Sequence, residues 1–230
     1  MIDLRRREGR PLRIGHRGAA ALAPENTIGS LALALELGCD LVEFDVVDLD
    51  GSLLLAHSPA EVPADVATLD EALAFLAGTS AGLQVDLKTA GAEPALVEAL
   101  RRHGLVERAV VSTFRTASLR AIVDIEPSLC RGLTYPEDRF GVSRLTPLVR
   151  PGLAAMRTVL ARRIGRMLAA AHANAAMLHW QVVTSGVVER CHAVDAPVFA
   201  WTLLDAGEVR RLDELGVDGV IVDDPRIFEG

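Results

Sequence analysis

An alternation repeated along the chain limits its fold most: short apolar runs ending in polar residues, separated by stretches with helical spacing. The first run is Leu12-Arg13-Ile14-Gly15-His16. After a loop through Ala23-Pro24-Glu25-Asn26-Thr27, residues Ile28, Leu31 and Leu35 share one helix face, and Gly38 ends that helix. The run from Leu41 to Val47 completes strand, helix, strand, the unit of a parallel sheet. Asp50-Gly51 marks a turn, and Leu53 to Ala56 is a short extended run ending at His57. Thr68-Leu69-Asp70-Glu71 has the form of a capping box that opens a second helix. Further strands are expected at Leu83–Lys88, Ala109–Ser112, Cys130–Thr134, Ala176–Trp180, Val198–Trp201 and Gly219–Val222, with helices between them. Eight strands with mostly helical connections in 230 residues predict a (β/α)8 TIM barrel, one domain over residues 1–230. A doubly wound open sheet is the alternative. The lack of a glycine-rich loop after the first strand weighs against it.

Half of the residues are hydrophobic, yet no apolar run approaches the ~20 residues of a membrane-spanning helix. Met1 to Arg13 is rich in arginine and lacks the apolar segment of a secretory signal, so a cytoplasmic protein is expected. Cys39, Cys130 and Cys191 are scattered and form no C-x-x-C pair, which points to small buried residues rather than a zinc site or disulfides. A net charge of −7 and few aromatics argue against a nucleic-acid partner.

Glu43 and Asp45 stand two residues apart within the apolar run Leu41, Val42, Phe44, Val46 and Val47. Strand side chains alternate between faces, so both carboxylates point the same way. Two like charges in a buried setting repel and lose hydration unless a positive group lies between them. A divalent cation or nearby Arg and Lys side chains would serve. Asp86 and Lys88 repeat the spacing at the end of the third strand, while His16, Trp201 and Asp223 sit at or just past other strand ends. That end of a barrel is where active sites are built.

These residues resemble the glycerophosphodiester phosphodiesterase family. The likeness rests on His16-Arg17-Gly18, Pro24-Glu25-Asn26-Thr27, Glu43-x-Asp45, Asp50-Gly51, His57, Trp201-Thr202, and Gly216-Val217-Asp218-Gly219 leading to Asp223-Asp224-Pro225. It covers nearly the whole chain, most thinly between Pro136 and Ala173. The resemblance implies a barrel enzyme that cleaves a small glycerophosphodiester with one divalent cation. By position it implies Glu43, Asp45 and Asp86 as metal ligands and His16 and His57 as general acid and base. Arg17 and Lys88 become phosphate partners, and Trp201 lines the substrate. Oxygen ligands suit Mg²⁺ or Ca²⁺, and Mn²⁺ also fits.

Three departures stand out: Ser58 where the family usually has Asp, Asp86 where it usually has Glu, and an insertion cut down to Ser58 through Ala67. Asp86-x-Lys88 is also similar to the sphingomyelinase-D-like phospholipases, and a barrel that only binds a phosphorylated ligand is the third reading. His103, His172, His179 and His192 are read as packed or surface histidines. Arg139, Arg144, Arg150, Arg157, Arg162, Arg163 and Arg166 make a basic stretch, read as a solvated helix face or a subunit contact before an interfacial helix.

Overall fold

The computed structural model describes residues 1–137 and 150–229. Its strands are β1 (Leu12–Gly15), β2 (Leu41–Leu49), β3 (Ser52–Leu54), β4 (Gly82–Leu87), β5 (Ala109–Thr113), β6 (Cys130–Tyr135), β7 (Ala175–His179), β8 (Val198–Leu203) and β9 (Gly219–Val222). The helices between them are α1 (Ile28–Glu36), α2 (Leu69–Ala77), α3 (Glu93–Arg102), α4 (Thr116–Ile125), α5 (Arg150–Ala171), α6 (Ser185–His192) and α7 (Ala206–Glu214). Strands β1, β2, β4, β5, β6, β7, β8 and β9 pair in parallel in that order. β1 bonds to both β2 and β9, with Ile14 opposite Leu41 and Leu12 opposite Gly219, so the sheet closes. The fold is the expected (β/α)8 barrel.

The short run after Asp50-Gly51 becomes β3, a hairpin arm antiparallel to the end of β2, with Val47 opposite Leu54. The capping box of α2 forms as its sequence predicts, Thr68 and Glu71 bonding reciprocally. β7 stops at His179, one residue short of the expected strand, because Trp180 opens a 3₁₀ turn through Val182.

Alternate residues of the strands fill the barrel: Leu12, Ile14, Leu41, Val110, Cys130, Ala175, Met177, Phe199 and Ile221. Glycines leave room for the largest of these. A Cβ at Gly219 would lie 2.5 Å from the Phe199 ring, and one at Gly132 would lie 2.6 Å from Met177 Cε. Ile2 and Leu4 pack into the same interior from the strand N-terminal end and stop it like a plug. The opposite strand faces carry two further apolar clusters under the helices, the first including Leu31, Leu73 and Leu96, the second Leu160, Ile164 and Leu212.

Within the basic stretch, Arg157 bonds to the Gln181 carbonyl at 2.7 Å, and Arg162, Arg163 and Arg166 lie on the exposed face of α5. Arg139 and Arg144 lie outside the described residues. No described helix is long and apolar enough to cross a membrane.

Candidate active site

The site begins at the turn after β1. Arg17 and Gly18 both take positive φ (49° and 82°), a conformation glycine adopts without strain. A Cβ at Gly18 would come within 2.4 Å of the Ser30 backbone, so the glycine also lets α1 sit directly on the turn. The turn then fastens itself to β2: Arg17 N–H donates to Glu43 Oε2 at 2.8 Å, and Gly18 N–H donates to the Glu43 carbonyl at 3.1 Å. Asn26 clasps Asp45 twice, its amide nitrogen donating to Oδ2 at 3.1 Å and its oxygen accepting the Asp45 N–H at 3.0 Å. The Pro24-Glu25-Asn26-Thr27 loop thus fixes a carboxylate rather than reacting.

Parallel pairing of β2 with β4 sets Asp45 beside Asp86 and Glu43 beside Gln84. One carboxylate oxygen from each of Glu43, Asp45 and Asp86 lies within 4.8 Å of the others. Lys88 Nζ stands 2.8 Å from Asp45 Oδ1 and also contacts Asp86 Oδ2. Arg17 Nε is 2.9 Å from Asp45 Oδ2, and its Nη1 donates to Glu25 at 2.7 Å. His16 points into the same mouth, with Nδ1 2.6 Å from Asp223 Oδ1 and Nε2 3.9 Å from Glu43 Oε2. An ionised Asp223 accepts a proton-bearing Nδ1, which leaves Nε2 as the nitrogen able to exchange a proton.

The remaining residues singled out in the sequence lie beyond the hairpin arm and on β8. His57 is exposed, three residues past the end of β3, where the hairpin turns the chain back along β2. Trp201 is paired in register with His179, donates its indole N–H to the Met177 carbonyl at 3.0 Å, and meets the His179 ring edge-on at 5.1 Å. A cavity of about 330 Å³, lined by Phe114, Leu133, Tyr135 and Met167 among others, sits between α4 and α5 rather than over the carboxylates.

Charge crowding is severe at the carboxylate end. Burial, then the Asp45 and Asp86 charges, push the Glu43 carboxyl up to about 7. Burial also acts to raise Asp45, yet Lys88 and Arg17 overcome it and hold that carboxyl well below the usual range. Burial would depress Lys88, but Asp86, Asp45 and Glu43 raise it above its ordinary value. Burial works against the His16 cation too, and the Asp223 hydrogen bond together with Glu43 outweighs it, so His16 titrates above its ordinary value. The three carboxylates fit a hard divalent cation. Their oxygens converge, and an all-oxygen donor set is the type Mg²⁺ and Ca²⁺ take.

With this geometry in view, the sequence model of the Glycerophosphoryl diester phosphodiesterase family matches residues 16–58 and 107–227. The chain belongs to this family. It is accordingly an enzyme of the phosphodiesterase class. A glycerophosphodiester phosphodiesterase of Caldanaerobacter subterraneus subsp. tengcongensis is 27% identical, over 92% of this chain and 93% of that protein. Among solved structures, a Silicibacter pomeroyi protein described as a glycerophosphoryl diester phosphodiesterase superposes with a TM-score of 0.78 at 22% identity, covering 96% of this chain and 92% of that one. An Oleispira antarctica phosphodiesterase, solved with the product sn-glycerol-3-phosphate, gives 0.75 at 23% identity, with 95% of each chain covered.

The family match skips the segment between residues 58 and 107, which holds β4 with Asp86 and Lys88. Register with β2 nevertheless brings Asp86 into the carboxylate cluster. Two residues not singled out in the sequence, Gln84 and Ser112, support it there. Fully buried Ser112 donates to Asp86 Oδ1 at 2.9 Å and accepts from Gln84 Nε2 at 3.1 Å. Sequence reasoning missed both. Ser112 had the same signal as Asp86, a polar residue closing an apolar run, whereas Gln84 had none. His179, read as a packed histidine, lies at the mouth beside Trp201. His103 and His192 do sit away from the mouth, against Asp70 and Asp218.

Proposed function

We propose that the chain hydrolyses glycerophosphodiesters to glycerol phosphate and an alcohol, with one divalent cation held by Glu43, Asp45 and Asp86. The observation that carries this reading is the convergence of three carboxylates beside an imidazole whose other nitrogen is tied to Asp223. A divalent cation there would offset the negative charge that builds on the phosphoryl oxygens as the diester is cleaved. Arg17 and Lys88 add fixed positive charge at the same edge, and Trp201 gives the substrate an apolar wall. One P–O bond breaks and another forms, so one oxygen must lose a proton and the departing alcohol must gain one. His16 Nε2 and the exposed His57 on the hairpin arm are the groups assigned to those two transfers. Asp223 keeps the His16 ring in one tautomer and orientation. The attacking oxygen is water, or the substrate's own glycerol hydroxyl followed by hydrolysis of a cyclic phosphate. The three cysteines are buried and unpaired, which suits a reducing compartment and supports a cytoplasmic placement.

The test is a panel of glycerophosphocholine, glycerophosphoethanolamine, a lysophospholipid and a chromogenic diester, assayed with Mg²⁺, Ca²⁺ or Mn²⁺ and with EDTA. Release of glycerol phosphate that EDTA stops and added metal restores is the expected result. Turnover of the lysophospholipid alone would move the chain to the phospholipase reading. Binding of glycerol phosphate without turnover of any diester would make it a binding barrel.

A further inference from the structure

Three cations stand along the edge of the mouth formed by β1, β2 and β4 and the start of α4, and they differ in how their charge is met. Arg17 faces Asp45 and Glu25, and Lys88 faces Asp45 and Asp86. The third, Arg115, makes no ion pair among the described residues, although it is partly buried. It is held by other means. Its Nη1 donates to the Lys88 carbonyl, and its guanidinium carbon lies 4.4 Å over the Phe114 ring. A guanidinium keeps its charge at any working pH, and one fixed by a carbonyl and a ring offers its remaining N–H donors in a set direction.

Register gives its height. Asp86 is opposite Ser112 across β4 and β5, so Lys88 and its carbonyl stand two residues further out, roughly 7 Å above the carboxylates at ~3.3 Å per residue. Arg115 follows Ser112 by three residues and reaches back to that carbonyl. A phosphodiester seated against the carboxylate end lies below this guanidinium. An anionic group about six bonds further along the substrate, roughly 7–8 Å away in an extended chain at ~1.25 Å of reach per bond, lies level with it.

We propose that Arg115 is a specificity-determining residue that binds a second negative charge on the substrate, so that the favoured glycerophosphodiester has an alcohol bearing a phosphate or carboxylate. This inference rests on the phosphodiesterase reading above. It predicts preference by charge at the alcohol, not by size.

The experiment compares three diesters on the full chain with divalent metal: glycerophosphocholine, glycerophosphoglycerol, and glycerophosphoglycerol carrying a terminal phosphate. Wild type is expected to favour the terminally phosphorylated diester over the neutral one by ~10-fold in kcat/KM, the scale of one charge-assisted contact. Arg115→Met should erase that ratio through KM while leaving the neutral diester within about threefold, and Arg115→Lys should restore part of it. Equal rates of wild type on the charged and neutral diesters would overturn the proposal. So would an equal loss on all three substrates in Arg115→Met, since Arg115 would then prop the Lys88 carbonyl or hold the diester phosphate itself. Hydrolysis of none of the three with any metal would remove the phosphodiesterase reading and this inference with it. Hydrolysis without charge preference removes the inference alone.

Discussion

The two sides of the barrel mouth are built on different principles. On the side of β1, β2 and β4, three carboxylates, Lys88, Arg17 and His16 crowd together, nearly every one tied by ion pairs or hydrogen bonds to neighbours on other elements. On the side of β7 and β8, Trp201 and His179 meet edge to face, the indole N–H donating to the Met177 carbonyl and His179 Nδ1 accepting from the Gln181 N–H. On the proposed reading, the first side would hold charge in place where a phosphorus atom needs it, because preorganised charges act without reorganising during reaction. The second offers surface and shape. On that reading, paired charges on one wall would serve bond cleavage and apolar area on the other would serve substrate fit.

Asp45→Asn should break that contrast most severely. It leaves the partly buried Arg17 and Lys88 charges short of their shared, fully buried partner, which costs about 3 kcal/mol by analogy with other broken buried pairs. We expect a clear fall in denaturation midpoint and diester turnover below detection. A variant of wild-type stability would show that Asn26 and Glu43 suffice to hold the turn.

His16→Ala should lower turnover by ~10²–10⁴ with the fold intact by circular dichroism, and His57→Ala by a similar factor. Near-normal activity in His57→Ala would assign the second proton transfer to another residue, with His179 the first to examine.

Protons should compete with metal for the charged side alone. Burial and the neighbouring carboxylates raise the Glu43 carboxyl to about 7, so cation binding must displace a proton at lower pH. Apparent metal affinity, read by calorimetry, should rise by up to tenfold per pH unit from about pH 5 to 7 and level off above. The same shift sets a stability slope. A carboxyl raised in the folded state favours folding below its ordinary titration range, and that contribution fades as pH rises towards 7. Asp45, lowered in the folded state, contributes the opposite trend, lost only under strong acid. A metal affinity flat between pH 5 and 7 would take Glu43 out of the ligand set.

Ser112→Ala should weaken metal binding by ~10-fold through its hold on Asp86, since partners of ligands commonly tune affinity by that order. Smallest of all, Trp201→Phe should keep turnover within a few-fold and act on KM. Equal damage from Trp201→Phe and His16→Ala would dissolve the distinction between the two sides.

How much of this was legible in the sequence follows from where the information resides. The barrel was readable because each strand and helix announces itself locally, down to the Thr68–Glu71 capping box. Glu43 and Asp45 were readable because two charges inside an apolar run are costly wherever they occur. The clasp of Asn26 on Asp45, the Gln84–Ser112–Asp86 chain and the meeting of His179 with Trp201 were not. Each joins residues on different elements, and only strand register, set by the whole closed sheet, decides which of them meet. Arg115 escaped for a similar reason, since in the chain it is one arginine among many and its unmatched charge shows only once its neighbours are in place.

The closure of β1 between β2 and β9 also dictates an order of events in making the molecule. Leu12 and its partner Gly219 are about 200 residues apart in the chain, so one edge of β1 stays open until β9 has left the ribosome. The buried members of the cluster that includes Leu31, Leu73 and Leu96 all lie between Ala19 and Leu129, so they can gather first. An unpaired strand edge is a template for pairing with other chains. The interval before β9 arrives therefore leaves that edge open to other chains, and slow translation between β2 and β9 would lengthen it.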